Sequence, residues 1–351
     1  MELNERIEAI AQVAVAWREP EHGPRAEAVA RTLEAPNRFT EEALTFAINQ
    51  QMHLLTAEAL GAWLNGRQAR RAETVGVWHA GQMPMEGLQD FLAVLLMGHQ
   101  YRGWVAASSP YLLPAFAEAV RAVWPDLPVT FADEGELIAE VDALIGTVDE
   151  EEMWEEIEAA CAAEGVAEAR QLLRGRSMGV AVLDGQESRQ ERENLAEDVL
   201  LHEGQGIRSV GLIWAPRGLS PDPYLDAFAL FRSVFPPHES TPGALKMQQA
   251  MLEARGVPHA YGDGLEFLLS KGPPEPQWPG HVRWAEYDTL SEAIVWLDTH
   301  AAPVVTARPQ VARQMPALWP LEAHGEAHRP PLGFAPDGRD VITFLNALYE
   351  L

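Results

Sequence analysis

The segment near the C-terminus carries the histidine spacing most typical of a metal site. His324 and His328 lie four residues apart, and a glutamate lies two residues before each of them. On a helix this spacing would place both imidazoles on one face, where they could bind a metal ion. A glycine between the two histidines and the Pro330–Pro331 pair favour a loop instead. No metal site is therefore predicted.

The sequence has a single cysteine, Cys161, in the middle of an Ala- and Glu-rich helical stretch. One cysteine cannot form an intramolecular disulfide, which favours a cytoplasmic location. The acidic neighbours of Cys161 disfavour its thiolate, the form that acts as a nucleophile. Cys161 is therefore predicted to pack as a small apolar side chain.

The charge of the chain excludes several kinds of partner. There are 52 acidic and 26 basic residues, which gives a formal net charge of −26. Nucleic-acid binding depends on basic residues that contact phosphates, so it is not expected. No membrane insertion is expected either, because the longest apolar run, at 91–97, is too short to cross a bilayer. The content of 47 % hydrophobic residues, with 11 Trp and 11 Phe, predicts a folded chain.

The pattern of apolar residues predicts an α/β protein. Residues 1–70 are expected to be helical, since apolar residues recur there at three- and four-residue spacing. Short apolar strands then alternate with helices, which predicts a doubly wound parallel sheet of the Rossmann type, followed by a second α/β region. The predicted strands of the first sheet are 74–78, 103–106, 129–131, 141–145 and 179–183, and those of the second region are 210–214, 281–286 and 303–307.

Several segments follow one another in an order that resembles a known family. They are Val77–Met85, Gly98–Gly103, Ser177–Glu187, His202–Val210 and Gly325–Pro330. Their order and spacing resemble the short acyl-CoA reductases of the aldehyde dehydrogenase superfamily, relatives of the reductase component of the bacterial luminescence fatty-acid reductase complex. Members of that family reduce a fatty acyl-CoA to an aldehyde with NADH or NADPH. A cysteine thiolate attacks the thioester, and the resulting acyl-enzyme accepts hydride.

The resemblance implies a division of the chain into four segments. Residues 1–70 would form an N-terminal helical segment, and 71–203 a dinucleotide-binding α/β domain. Residues 204–305 would form a catalytic-type α/β domain, and 306–351 a return segment that packs on the body.

The position that matches the family's nucleophile has no thiol. The family's cysteine stands in a Gly-x-Gly-Cys-Arg-Asn-type loop, and the matching residues here, Gly204–Ser209, place Ile207 at that position. An isoleucine has no lone pair and cannot form an acyl intermediate. The resemblance also suggests Glu187, after the fifth strand, as a general base on a loose motif match.

Two more family positions are altered. The family's oxyanion-binding asparagine corresponds to Gln82, whose amide is one methylene longer. Effective donors must lie about 2.7–3.1 Å from the oxyanion, so Gln82 is not equivalent unless the turn alone is what is retained. The family's cofactor-binding lysine is replaced by Ser108 or Ser109, which could hydrogen-bond a ribose but cannot neutralise a phosphate.

The expected pyrophosphate-binding turn is also unusual. It reads Gly146-Thr147-Val148 and continues into a run of acids; residues 133–158 carry twelve acids and no basic residue. These charges would repel a phosphate at the helix start, where it would otherwise be attracted. NAD or NADP is implied by the resemblance, but its binding is expected to be weakened.

The sequence thus supports two hypotheses. One is an acyl-CoA reductase family protein with impaired or lost catalysis, and the other is a non-catalytic subunit with the same fold that binds an acyl chain or CoA, or a protein partner. Acyl-CoA and a second copy of the chain are the expected partners.

Overall fold

The structure is a computed structural model that describes residues 1–79, 81–148, 151–175, 177–277, 279–300, 302–336 and 338–350. The α-helices are α1 (Leu3–Ala16), α2 (Gly23–Leu33), α3 (Glu41–Leu54), α4 (Ala57–Leu64), α5 (Leu88–Met97), α6 (Leu112–Val123), α7 (Glu151–Glu164), α8 (Arg189–Leu200), α9 (Asp222–Val234), α10 (Thr241–Arg255), α11 (Leu290–Thr299), α12 (Pro309–Ala312) and α13 (Val341–Ala347). The strands are β1 (Thr74–His79), β2 (Gln100–Val105), β3 (Val129–Phe131), β4 (Ala143–Val148), β5 (Gln171–Gly175), β6 (Gly179–Val182), β7 (Val210–Pro216), β8 (His259–Tyr261), β9 (Leu268–Lys271), β10 (His281–Tyr287), β11 (Val305–Ala307) and β12 (Leu321–Glu322).

The chain divides into two compact units. The first comprises residues 1–37, 44–176 and 331–351, and the second comprises 38–43 and 177–330. The predicted dinucleotide-binding segment, 71–203, therefore contributes to both units. The predicted return segment, 306–351, does so too.

The first unit is built on a parallel sheet of five strands in the order β3-β2-β1-β4-β5. The strand order reverses between β1 and β4, and ligands of such sheets bind outside the carboxyl ends of the strands at this point. Helix α5 is buried along its whole length, and the Phe91 ring packs edge-on against Tyr101, 5.0 Å between centroids. The other face of the sheet is covered by a cluster that includes Trp78, Ile157 and Cys161. Both faces of the sheet are thus buried, as the apolar strands predict.

The second unit is built on a sheet of seven strands in the order β12-β11-β6-β7-β10-β9-β8. The neighbours are parallel except for β8, which runs antiparallel to β9. Helices α8 and α9 pack on one face, around Leu195, Phe228 and Trp284. Helix α11 packs on the other face through Ala293 and Leu297. The predicted α/β class, with parallel sheets in two regions, is confirmed.

One strand lies in a different sheet from the one predicted. The segment 179–183 forms β6, but β6 pairs with β7 and β11 in the second sheet. The fifth strand of the first sheet is β5 instead, which pairs with β4 and which the sequence analysis missed. Its sequence, Gln-Leu-Leu-Arg-Gly, contains an arginine at a core position, and this interrupts the apolar pattern. Arg174 is tolerated there because it forms a buried bidentate pair with Asp90 of α5, at 2.8 and 3.1 Å.

The lengths of the helices show whether one of the described helices could span a membrane. The longest helix, α10, has 15 residues. Across the described residues, none of the helices combines the length and apolarity needed to span a bilayer.

Candidate active site

The loop that carries Ile207 begins with an unusual backbone conformation. His202, Glu203 and Gly204 have φ angles of 56°, 57° and 68°, so the chain passes through three consecutive left-handed residues after α8. A left-handed non-glycine residue costs about 1–2 kcal/mol, and such strain is typical of functional sites. The third position requires glycine, because a Cβ at Gly204 would lie 3.1 Å from the backbone nitrogen of Gly280.

A buried ion pair holds this left-handed turn in place. Arg232 of α9 donates from Nη1 to Glu203 Oε1 at 3.0 Å, and both side chains are almost fully buried. The hydroxyl of Thr241, at the start of α10, donates to the other oxygen of the Glu203 carboxylate. Because two helices converge on one carboxylate, the surrounding fold determines the conformation of the turn.

Ile207 itself lies in a tight turn between this segment and β7. The Ser209 amide donates to the Gly206 carbonyl at 2.8 Å, and the Ile207 side chain is half-buried. The neighbouring Arg208 and Ser209 are buried. The position of the expected nucleophile is therefore defined by its backbone, while the side chain there is a hydrocarbon.

Asp198 and Arg208 form hydrogen bonds that hold the segment 325–327 beside this loop. The Asp198 carboxylate of α8 accepts hydrogen bonds from the amides of Gly325, at 2.7 Å, and Ala327, at 2.9 Å. Arg208 donates from Nε to the Ala327 carbonyl. Burial raises the pKa of Asp198 to about 7 and lowers the pKa of Arg208 to about 10.

His324 and His328 are both buried, and each has a different hydrogen-bond partner. His324 Nδ1 lies 3.2 Å from the Thr306 hydroxyl, and His328 donates from Nε2 to the Asp198 carbonyl at 3.2 Å. The rings of His202 and His328 pack edge to face, 5.3 Å apart. Burial lowers the pKa of His324 to about 4 and that of His328 to about 3. Among the described residues, no three His, Cys, Asp or Glu side chains are grouped to hold a metal ion.

Glu187 is held between β6 and α9 by its own hydrogen bonds. Its carboxylate accepts from the amides of Asp184, at 2.8 Å, and Gly185, at 3.1 Å, and from the hydroxyl of Tyr224. Burial raises the pKa of the Glu187 carboxyl above its usual value. A raised pKa suits a general base, but three donors already occupy this carboxylate.

In the first unit, the expected oxyanion turn follows β1. The amides of Gln82 and Met83 donate to the Glu86 carboxylate, at 2.6 and 3.2 Å. The Gln82 side chain is half-buried. Two backbone donors that could stabilise an anion are thus directed at an anion supplied by the chain itself.

The two serines expected near the cofactor ribose lie beside this turn. Ser108 donates its hydroxyl to the Gly81 carbonyl at 2.8 Å, and Ser109 is buried. A Cβ at Gly81 would lie 2.4 Å from Ala106 Cβ and from Ser108 Oγ. The cavity at this edge measures only about 10 Å³, which is room for about one water molecule. In this arrangement the Ser108 hydroxyl is engaged by the chain itself, and Ser109 lines the small cavity.

Gly146 and Thr147 lie within β4 rather than at a helix start. Gly146 pairs with Trp78 of β1, and Thr147 pairs with Arg174 of β5. The helix that follows, α7, begins at Glu151. The acidic residues 149 and 150, which the sequence analysis placed at the pyrophosphate site, lie outside the described residues.

Cys161 lies far along α7, in the core of the first unit. Its side chain is fully buried among Leu144, Ile157 and Leu173. Burial and the nearby Glu158 raise the pKa of its thiol to about 11. The thiolate is therefore disfavoured there, and the packed position agrees with the expectation from sequence.

Sequence reasoning missed the buried charges that support the second unit's loop. Asp198 was detectable, because it lies three residues after Leu195 and directly before Val199, on the apolar face of α8. A charge on such a face requires a partner. The partners of Asp198 lie 127 residues or more away in sequence, so no local pattern could identify them.

Comparison with known proteins gives structural matches only. No protein-family model matches the sequence, and no curated protein matches it. Succinic semialdehyde dehydrogenase from Streptococcus pyogenes, solved with NADP⁺ as its cofactor, has a TM-score of 0.68 at 14 % identity over 92 % of this chain and 82 % of its own. An NAD-dependent benzaldehyde dehydrogenase from Corynebacterium glutamicum has a TM-score of 0.67 at 12 % identity over 94 % and 83 %. Lactaldehyde dehydrogenase from Escherichia coli has a TM-score of 0.65 at 14 % identity over 90 % and 76 %. At this identity the likeness establishes the architecture: the chain has the aldehyde dehydrogenase fold.

Proposed function

We propose that this protein is an aldehyde-dehydrogenase-fold relative of the acyl-CoA reductases that has lost thiol-dependent catalysis and serves as an acyl-CoA-binding or partner subunit. The observation that carries the proposal is Ile207 on the turn between the left-handed segment 202–204 and β7. Removal of a nucleophile costs on the order of 10⁶ in kcat in a triad enzyme, and isoleucine offers no replacement.

Nearby and distant side chains do not supply a substitute nucleophile. Cys161 is buried in the other compact unit with a raised pKa. Ser209 is two residues from Ile207, but it is only 1 % exposed, and its hydroxyl has no hydrogen-bond partner among the described residues. A serine requires an adjacent general base for activation, so Ser209 is a packed residue in this proposal.

The cofactor part of the family reaction is also disfavoured. The Ser108 hydroxyl donates to the Gly81 carbonyl, Ser109 is buried, and the Glu86 carboxylate accepts from the amides of Gln82 and Met83. Two of the structural relatives named above use a dinucleotide by their own descriptions, one solved with NADP⁺ and one NAD-dependent. We infer that this chain binds either dinucleotide weakly, and no hydride-transfer step is assigned to it.

The left-handed turn favours a retained binding role over a purely structural one. Strain of this kind persists only where the surroundings enforce it, and Glu203, Arg232 and Thr241 enforce it here. We therefore expect that position 207 faces a groove that still accepts an acyl thioester.

A thiol introduced at position 207 tests that groove. In the Cys161→Ala/Ile207→Cys chain, the introduced cysteine is the only thiol. Its thiolate attacks the thioester carbonyl, the acyl group is transferred to sulfur, and the CoA thiolate leaves, with no net oxidation or reduction. Incubation with a long-chain acyl-CoA is expected to give one acyl adduct by intact-protein mass spectrometry.

The matched control is Cys161→Ala/Val295→Cys, which places the single thiol on the exposed face of α11. The control should be acylated at least about tenfold more slowly, because an exposed thiol gains no positioning from a groove. Equal rates for the two chains would show that position 207 faces no acyl-binding groove, and the proposed ligand would then be wrong.

A further inference from the structure

The second unit contains an open pocket that none of the positions discussed so far uses. It has a volume of about 450 Å³ and lies between α10, the end of β9, the start of β10 and the loop that joins these strands. This volume is typical of sites for small organic ligands. Ile207 and Glu187 do not line the pocket, so an inference about it stands apart from the proposed function.

Three cations converge on this pocket in a chain that has few of them. Arg255, Lys271 and Arg283 line it, against one lining acid, Glu275. Lys271 also pairs with Glu286 at 3.0 Å. With 26 basic residues against 52 acidic ones in the whole chain, such a cluster runs against the overall charge. The pocket is therefore a local region that attracts anions on a protein that otherwise repels them.

Arg283 is the unusual member of the cluster. It is 7 % exposed, yet it has no hydrogen bond or ion pair with any described residue, and its Nε is buried without an acceptor. Of the other buried arginines, Arg174 and Arg232 each pair with a carboxylate, and Arg25 and Arg208 donate to backbone carbonyls. A buried charge without a partner is costly. A ligand anion in the pocket would supply the missing partner.

One residue that lines the pocket, His281, is uncharged and held by two hydrogen bonds. His281 accepts from the Ser270 hydroxyl at Nε2, 2.7 Å away, and donates from Nδ1 to the Gln248 side-chain oxygen, 2.9 Å away. Burial, followed by the nearby Arg283 charge, lowers the pKa of His281 to about 4, so the ring is neutral at pH 7. His281 thus fixes Gln248 and the start of β10 without adding charge.

The remaining wall is apolar and suits the organic part of a ligand. It is formed by Met251, Leu252, Val257, Pro273 and Pro276.

We propose that this pocket binds a phosphate group carried by a small organic molecule, with Arg283, Lys271 and Arg255 as its cationic ligands and the apolar wall against its carbon skeleton. A phosphate monoester carries a charge of about −1.5 to −2 at pH 7, and the three cations outnumber the two acids beside them, Glu275 on the lining and Glu286 paired with Lys271. One guanidinium group can bind two phosphate oxygens at once, through two parallel N–H···O hydrogen bonds.

Calorimetric titration of the full chain with phenyl phosphate, at constant ionic strength and pH 7.5, tests the proposal. We expect binding at one site, weakened at least about tenfold by Arg283→Gln or Lys271→Gln and by about threefold or more by Arg255→Gln. Arg255 is exposed, so its variant keeps the test valid if Arg283→Gln does not fold. Arg313→Gln, which removes an exposed arginine outside the pocket, should leave the affinity unchanged.

Three results would overturn the proposal. One is the absence of binding at millimolar phenyl phosphate. Another is binding that Arg255→Gln and Lys271→Gln leave unchanged. The third is benzoate binding as tight as that of phenyl phosphate, which would assign the pocket to carboxylates. None of these results affects the acylation test at position 207.

Discussion

Replacement of Glu203 by glutamine is expected to lower the free energy of unfolding by about 3–5 kcal/mol. The substitution removes the carboxylate charge that pairs with the buried Arg232 and leaves it neutral acceptors, the glutamine amide oxygen and the Phe235 carbonyl at 3.5 Å. The charge of Glu266 acts on Arg232 only from beyond ion-pair distance. The reason for the large effect is that desolvation of the guanidinium persists while its attraction to the carboxylate is lost. Urea denaturation followed by tryptophan fluorescence measures the change.

A surface pair provides the control for this measurement. Arg189 and Glu193 on α8 lie 2.7 Å apart, but the Arg189 side chain is 81 % exposed. The Glu193→Gln change should therefore cost less than about 1 kcal/mol. Equal small losses for Glu203→Gln and Glu193→Gln would show that the buried pair does not maintain the left-handed turn, and the support assigned to Glu203 would be withdrawn.

Acidification from about pH 6.5 to about pH 4 is expected to destabilise the protein by several kcal/mol. Burial lowers the pKa of His79, His281 and His324 to about 4 and that of His328 to about 3. Unfolded histidines titrate near 6.5, so within this pH window the unfolded chain binds protons that the folded chain does not. The contribution of these four groups is complete above about pH 6.5 and is lost as the pH falls toward their folded values.

Asp198 acts in the opposite direction within the same window. Its folded pKa of about 7 lies above the usual value, so the folded chain holds a proton that the unfolded chain has released. This one proton reduces, but does not reverse, the effect of four histidines. Urea denaturation at a series of pH values gives the slope.

Substitution of one buried and one exposed histidine tests whether the buried histidines cause this acid destabilisation. His324→Gln should make the acid dependence shallower by about one proton, whereas His300→Gln, at an exposed position, should leave it unchanged. A stability that stays constant between pH 6.5 and 4 would contradict the assignment of these buried histidines as neutral.

The alternation of apolar strands and helices was sufficient to predict the fold class. Strands β1, β3, β7 and β10 lie within a few residues of their predicted positions, because each has a regular apolar period and clear turn residues. The sheet that β6 joins could not be predicted. Its residues Gly-Val-Ala-Val fit the core of either sheet equally well, and pairing with β7 is a long-range choice.

The site was predictable only where a motif spans adjacent residues. The loop Gly204–Ser209 could be found from its sequence, and the absence of a thiol at Ile207 with it. The ion pair of Glu203 and Arg232 could not, because the two residues are 29 positions apart in sequence and lie on different elements. The unpaired Arg283 was equally hidden, since an arginine in a strand does not reveal whether a carboxylate faces it.

We propose that thiol-dependent acyl reduction is lost because position 207 is isoleucine. The most direct measurement is the rate of NADH or NADPH oxidation by the natural chain in the presence of long-chain acyl-CoA, with aldehyde quantified in the same samples. We expect no aldehyde and no oxidation above the rate without protein. Sustained, stoichiometric formation of aldehyde by the natural chain, retained in Cys161→Ala, would contradict it.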